Sequence, residues 1–170
     1  MLQDLSTLLP AYFADAARVW IYQSNRPFTD AETAAITAEV QAFAQNWLSH
    51  GAPVKAFGTV LYNQFIILMA DETQTSVGGC STDSSVRLIK AIEQELGVDL
   101  FNRQLLAFMI DGNIQLIPLA QLNEALQKGT IHADTLYCNN TVLTKKELEQ
   151  QWLVPVKESW LRSRVGLVTS

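Results

Sequence analysis

Two stretches of helical apolar spacing stand between runs of strand-type sequence, and their order limits what this chain can fold into. In the first, Ile36, Val40, Phe43 and Trp47 hold one face over three turns. Thr29, with Glu32 three residues on, opens it as a capping box in which each side chain satisfies the other's free backbone N–H. His50 and Gly51 then offer a C-terminal charge and a left-handed cap. In the second stretch, Val86, Ile89, Ile92 and Leu96 line one face until Gly97 supplies the stop.

The strand signals fall around these helices. Residues Arg18 to Gln23, "RVWIYQ", are apolar on both sides, which suits a central strand. Val54 to Tyr62 and Phe65 to Asp71 form a second pair, turned at Asn63-Gln64. "QLLAFMI" and "NIQLIPL" flank Asp111-Gly112, a dipeptide that readily takes the positive φ values of a hairpin turn. The order strand, helix, strand, strand, helix, strand from Arg18 to Ile110 matches an α+β, ferredoxin-like (split βαβ) fold, an antiparallel sheet with two helices on one face. Its core is expected to gather Val19, Ile21, Phe65, Ile67, Val86, Ile89 and Phe108.

Further elements attach to this frame. Leu2, Leu5, Leu8 and Leu9 make a short N-terminal helix that stops at Pro10. Pro118 opens a helix with Leu119, Leu122 and Leu126 inward, and "TLYCNNTVL" reads as two short strands around Asn139-Asn140. Thr144 and Glu147 form another capping box, for a helix ending near Trp152. A chain of 170 residues, 48% hydrophobic, buries one sizeable core, so a single domain 1–170 is expected, with 18–117 as core and 118–170 as a mixed C-terminal extension. The sheet face away from the helices then needs a cover: the tail, a ligand, or a second subunit in a homodimer.

Charge and cysteine content exclude several function classes. The formal net charge is -5 and the 12 basic residues are scattered, which is no footprint for nucleic acid or an anionic membrane surface. No basic residue precedes Arg18, unlike the charged start of a secretory signal, so a cytoplasmic setting is expected. The longest aliphatic run, Phe65 to Ala70, is far below the roughly 20 residues of a membrane span. Cys80, Cys138, His50 and His132 show no metal-ligand spacing, and no cofactor motif is present.

The stretch "GGCSTDSSVRLIK", Gly78 to Lys90, concentrates the chemistry. Gly79 with Ser81, Thr82 and Ser84 can present backbone N–H groups and hydroxyls at a helix start, where an anion is favoured. Equally, Ser81 or Thr82 can cap the helix while Asp83 complements its dipole. Asp83 would cost a bound anion about 4 kcal/mol at 4 Å and an effective dielectric of 20, against about half a charge from the helix end. Anion binding therefore needs Arg87 to hold Asp83 aside, with Lys90 adding charge one turn on. Cys80, just before the helix, is a nucleophile candidate with no general base assigned to it, or else a small buried hydrophobe that alkylates slowly.

Other groups have two readings each. Arg18, Arg26, Trp20 and Tyr22 make either a stacking surface or ordinary core. Asp71 and Glu72 read as solvated acids, His50 as a helix C-cap and His132 as a loop residue.

At "RVWIYQSNRPFTDAE", "GGCSTDSSVRLIK", "DLFNRQLL" and "YCNNTVLTKKELEQQW…ESW" the chain resembles an uncharacterised protein family from Bacteroidetes-type bacteria, over nearly its whole length. Members often carry the label of ABC-transporter ATPase, and the resemblance implies a bacterial, cytoplasmic source. A phosphate loop ends in Gly-Lys-Ser/Thr, and no Gly-Lys pair occurs in these residues, so no ATPase activity is expected. The leading expectation is a non-enzymatic module that binds a small anionic or polar ligand through Gly79, Ser81, Thr82, Asp83, Ser84 and Arg87. The alternatives are a thiol-dependent enzyme using Cys80 and a structural homodimer through the open sheet face.

Overall fold

The computed structural model describes residues 4–164. In chain order it forms α1 (Leu5–Leu8), β1 (Arg18–Gln23), α2 (Asp30–Asn46), β2 (Leu48–Ser49), β3 (Ala52–Pro53), β4 (Lys55–Leu61), β5 (Phe65–Asp71) and α3 (Gly79–Leu96). There follow β6 (Leu105–Ile110), β7 (Asn113–Pro118), α4 (Leu122–Gln127), β8 (Leu136–Cys138), α5 (Lys145–Gln151) and β9 (Leu153–Pro155). Helices and antiparallel sheets thus mix in an α+β chain. Two compact units emerge among the described residues: Asp4–Asn102 joined by Leu143–Glu149, and Arg103–Val142 joined by residues 150–164. Neither coincides with the expected 18–117 core.

In the first unit the strands lie in the order β1-β5-β4, all antiparallel. β5 carries side chains that are apolar on both faces and every one of its seven residues is buried, which is why it takes the centre. β1, expected to be central, has β5 on one side only. Its other edge meets the chain at Leu143 and Thr144, through a Val19 N–H bond to Leu143 O at 3.0 Å and an isolated bridge from Arg18 to Thr144. That is where the fourth strand of the expected sheet would lie. Leu105–Ile110 is a strand, but it belongs to a different sheet.

Both long helices pack on one face of the three-stranded sheet, as the sequence order implies. Ile36 and Val40 of α2 and Ile89 and Ile92 of α3 meet Tyr22, Ile66 and Leu68 in one apolar cluster. α2 approaches so closely that a Cβ on Gly58 would sit 2.9 Å from Val40 O. The Thr29–Glu32 capping box forms as expected. The end of α2 differs: the helix stops at Asn46, Trp47 turns extended and buries its indole, and His50 (φ 52°) and Gly51 (φ 80°) form the turn between β2 and β3.

The expected single core divides. Ile89 lies with the helix-facing residues, Phe108 belongs to a separate cluster in the second unit, and Val19, Phe65 and Ile67 point to the other sheet face. Strand pleating sends alternate residues to opposite faces, so odd and even positions of β5 cannot share one core. Phe65, Ile67 and Met69 are nonetheless fully buried within this one chain, so along β5 the second face is not left open.

The second unit is a sheet in the order β7-β6-β8-β9. Leu106, Phe108, Ile117, Leu122, Leu126, Ile131, Tyr137, Val156 and Leu161 make its cluster. Asp111 (φ 52°) and Gly112 (φ 79°) turn β6 into β7 as anticipated. After Pro118 a short 3-10 turn, Leu119–Gln121, leads into α4. β8 pairs with β6 and β9 instead of doubling back at Asn139-Asn140. Buried Trp152 donates its indole N–H to Asn140 Oδ1 at 2.9 Å, which fixes that turn.

Candidate functional site

The start of α3 is built by residues from three places in the first unit. Glu72 Oε2 accepts the Val77 N–H at 2.8 Å, and Ser49 Oγ accepts the Gly78 N–H at 3.2 Å. A Cβ on Gly78 would lie 3.1 Å from His50 Nε2, so glycine here makes room for the imidazole. Gly78 is the N-cap and offers no side chain, while the space beside Gly79 is open. The first helical bond runs from Thr82 N–H to Gly78 O at 3.0 Å, which leaves the preceding N–H groups of Gly79, Cys80 and Ser81 without helical partners.

The hydroxyls behave otherwise than the sequence suggests. The helix begins two residues before Ser81, so neither Ser81 nor Thr82 caps it. Ser81 Oγ donates to Leu48 O at 2.7 Å, Thr82 Oγ1 to Gly78 O at 3.1 Å, Ser84 Oγ to Ser81 O at 2.7 Å and Ser85 Oγ to Thr82 O at 2.6 Å. A hydroxyl has one proton, and each of these is committed to a carbonyl. Trp47 Nε1 also donates to Ser81 O at 3.0 Å, so Ser81 joins the helix to the end of α2 and β2.

Asp83 and Arg87 are both exposed, and no ion pair joins them among the described residues. Asp83 stands beyond the first turn, which contains no acid. Cys80 is exposed, so the buried-hydrophobe reading of this thiol fails, and with it the apolar site that was to slow its alkylation. Of the expected ligand set, Arg87 is exposed and the N–H groups of exposed Gly79 and buried Ser81 lack helical partners, whereas the Ser81 carbonyl and the hydroxyls of Ser81, Thr82 and Ser84 are committed within the protein. Ser49, His50 and Glu72 are the residues that sequence reasoning missed. Only the His-Gly dipeptide could have signalled a turn there, and nothing in the sequence ties it to a helix start 28 residues later.

The other candidates have structural partners. Arg26 binds Glu32 through two bonds of 2.9 and 3.0 Å and reaches Leu96 O at 3.2 Å. Arg18 sits 4.7 Å over the Trp20 ring and 3.5 Å from Glu72. Trp20 packs edge-on to Trp47 at 5.7 Å. Asp71 is buried and fully bonded, not solvated. In the loop after α4, His132 Nδ1 accepts the Asp134 N–H at 3.3 Å. Among the described residues no group of three or more His, Cys, Asp or Glu could hold a metal ion, and no helix is long and apolar enough to cross a membrane.

Comparison of the chain with protein-family models, curated proteins and solved structures returned no match.

Proposed function

We propose that this protein is a non-enzymatic binding module that takes a small anion, such as phosphate or a carboxylate, at the start of α3. The observation that carries the reading is the open, uncapped end of an 18-residue helix, with the His50 imidazole set beside Gly78. Three first-turn N–H groups converge there, and the helix dipole favours negative charge. Magnitudes set the strength. A helix end is worth about 0.3–1 kcal/mol to an exposed anion, and solvent-exposed Asp83 opposes it by about 1 kcal/mol at 4 Å in water. The two nearly cancel, so binding is weak and rests on the hydrogen bonds that the first-turn N–H groups donate.

The test is thermal unfolding at constant ionic strength with phosphate, sulfate or acetate in place of chloride. The wild type gains stability with at least one of these anions, Asp83→Asn gains more, and His50→Gln gains less. A wild type indifferent to every anion ends the proposal, as does an Asp83→Asn variant that responds no better.

A second reading, a thiol-dependent enzyme, draws on the exposed Cys80 in the same first turn as those N–H groups, with His50 close to Gly78. Its test is the rate of Cys80 alkylation against an unfolded control: enhancement lost in His50→Gln supports it. A reducing, cytoplasmic setting accords with both thiols being free. For the fold, we read β1-α2-β4-β5-α3 as a ferredoxin-like arrangement whose fourth strand position is taken by Leu143–Thr144; the strand order β1-β5-β4 supports this.

A further inference from the structure

We propose that β7 is the contact strand of a two-fold dimer, in which a second copy of this chain adds its own β7 antiparallel and extends the sheet across the axis. β7 is the edge of the order β7-β6-β8-β9. Its sequence, Asn113-Ile114-Gln115-Leu116-Ile117-Pro118, has no charged residue, none of the lysines or acids by which edge strands ordinarily repel a second strand.

The register identifies which backbone groups are free. The two-residue turn Asp111-Gly112 has positive φ at both positions, so Ile110 and Asn113 on either side of it exchange both their hydrogen bonds. Alternation then turns Gln115 inward to Phe108 and Ile117 to Leu106, and leaves the N–H and C=O of Ile114 and Leu116 facing outward. No hydrogen bond to these four groups is present among the described residues. Pro118 is outward as well and has no N–H to give.

This short pattern selects its own partner. With the axis through Gln115, Ile114 faces the second copy's Leu116 and Leu116 faces its Ile114, so four main-chain bonds form and every free group between the turn and Pro118 is satisfied. Pro118 falls opposite Gly112 of the turn, where its missing donor is no loss. Gln115 meets its own counterpart in a non-hydrogen-bonded pair, with Cβ atoms about 4.5–5.5 Å apart. A primary amide carries both a donor and an acceptor, so two of them pair reciprocally across a two-fold axis. Room exists for that pair: Gln115 is exposed and opens onto a groove of about 230 Å³ between β7 and α4, lined also by Gln121, Glu124 and Lys128. Glu124 and Lys128 neutralise one another at 2.7 Å, so the groove sets no net charge against a second copy.

The experiment is the mass of the full chain in solution by sedimentation equilibrium, from micromolar to millimolar protein. The expected mass rises with concentration to twice that of one chain. Leu116→Pro removes a single outward N–H and no bond of the β6–β7 ladder, so it keeps the circular dichroism spectrum and weakens association at least about tenfold. Should that variant misfold, charge substitution at exposed Gln115 decides. Gln115→Glu and Gln115→Lys are each monomeric, since like charges face each other on the axis, and their mixture recovers the dimer. A wild type that is monomeric at millimolar concentration overturns the proposal. So does a mixture that fails to associate, or a folded Leu116→Pro variant that dimerises as well as the wild type.

Discussion

Ala14 donates its backbone N–H to Asp71 Oδ2 at 2.8 Å, joining residues 57 positions apart. The same carboxylate accepts the N–H and hydroxyl of Thr73 at 3.0 and 2.7 Å and lies 3.4 Å from Lys55 Nζ. The Thr73 and Ala14 donors hold its carboxyl well below the usual aspartate range. A depressed pKa stabilises the fold above the unfolded value of about 3.9, and that contribution is lost as pH falls through the native value. Asp71→Asn is expected to cost about 2–3 kcal/mol at neutral pH, because it removes the charge from several bonds at a buried site. Urea denaturation from pH 7 down to pH 3 checks it: the gap between wild type and variant narrows with acid, and a constant gap refutes the assignment.

Glu32 gives a second acid-side signal of the same sign. Arg26 and the Thr29 N–H hold its carboxyl down to about 2. Its stabilising effect is complete above its ordinary pKa of about 4.3 and fades as pH drops toward the native value. Thr29→Ala removes the other half of the capping box and is expected to cost about 1 kcal/mol, seen as a lower urea midpoint with unchanged slope.

Gly58→Ala tests the approach of α2 to β4. Its new methyl would meet Val40 O at 2.9 Å and Val40 Cβ at 3.0 Å, and neither is the end of a flexible side chain. The expected loss is about 1–3 kcal/mol, the usual range for overpacking. A variant as stable as wild type would mean that α2 lies farther from the sheet.

The two thiols should separate cleanly. Cys80 is exposed, whereas burial pushes the Cys138 thiol up and closes access to it. A disulfide reagent therefore titrates one thiol in the native protein and the second only after denaturation. Cys80→Ser abolishes the native reaction; a residual fast thiol in that variant contradicts the burial of Cys138.

What the sequence discloses about this fold depends on how local each determinant is. The capping box at Thr29, the inward positions Ile36 and Val40 of α2 and Ile89 and Ile92 of α3, and the Asp111-Gly112 turn are set by neighbours within a few residues, and they appear where expected. The assignment of β6 to its sheet is not local. Four apolar residues of Leu105–Ile110 are buried, and such a strand accepts any pair of neighbours; only the return of Leu143 to β1 removes one choice. The candidate site was hidden for a related reason. Periodicity favours Val86 on the buried stripe of α3, but Ser85 is the fully buried residue, because a hydroxyl bonded to its own helix packs inward as a small group. The neighbours Ser49 and His50 arrive through a hairpin that no spacing rule foretells.

The bridge between Arg18 and Thr144 sets an order of events during synthesis. A ribosome delivers the chain from its N-terminus, so β1, α2, β4, β5 and α3 are all available long before residues 143–149 emerge. Until then the outer edge of β1 has no strand beside it, and the carbonyl of Phe13 lacks its bond from Lys145 Nζ, present at 3.1 Å in the finished protein. The first unit cannot close as it is made. Its last piece arrives only after Arg103–Val142 of the second unit has been made, so the nascent protein passes through an interval with an unsealed strand, the period when a chaperone would find something to hold.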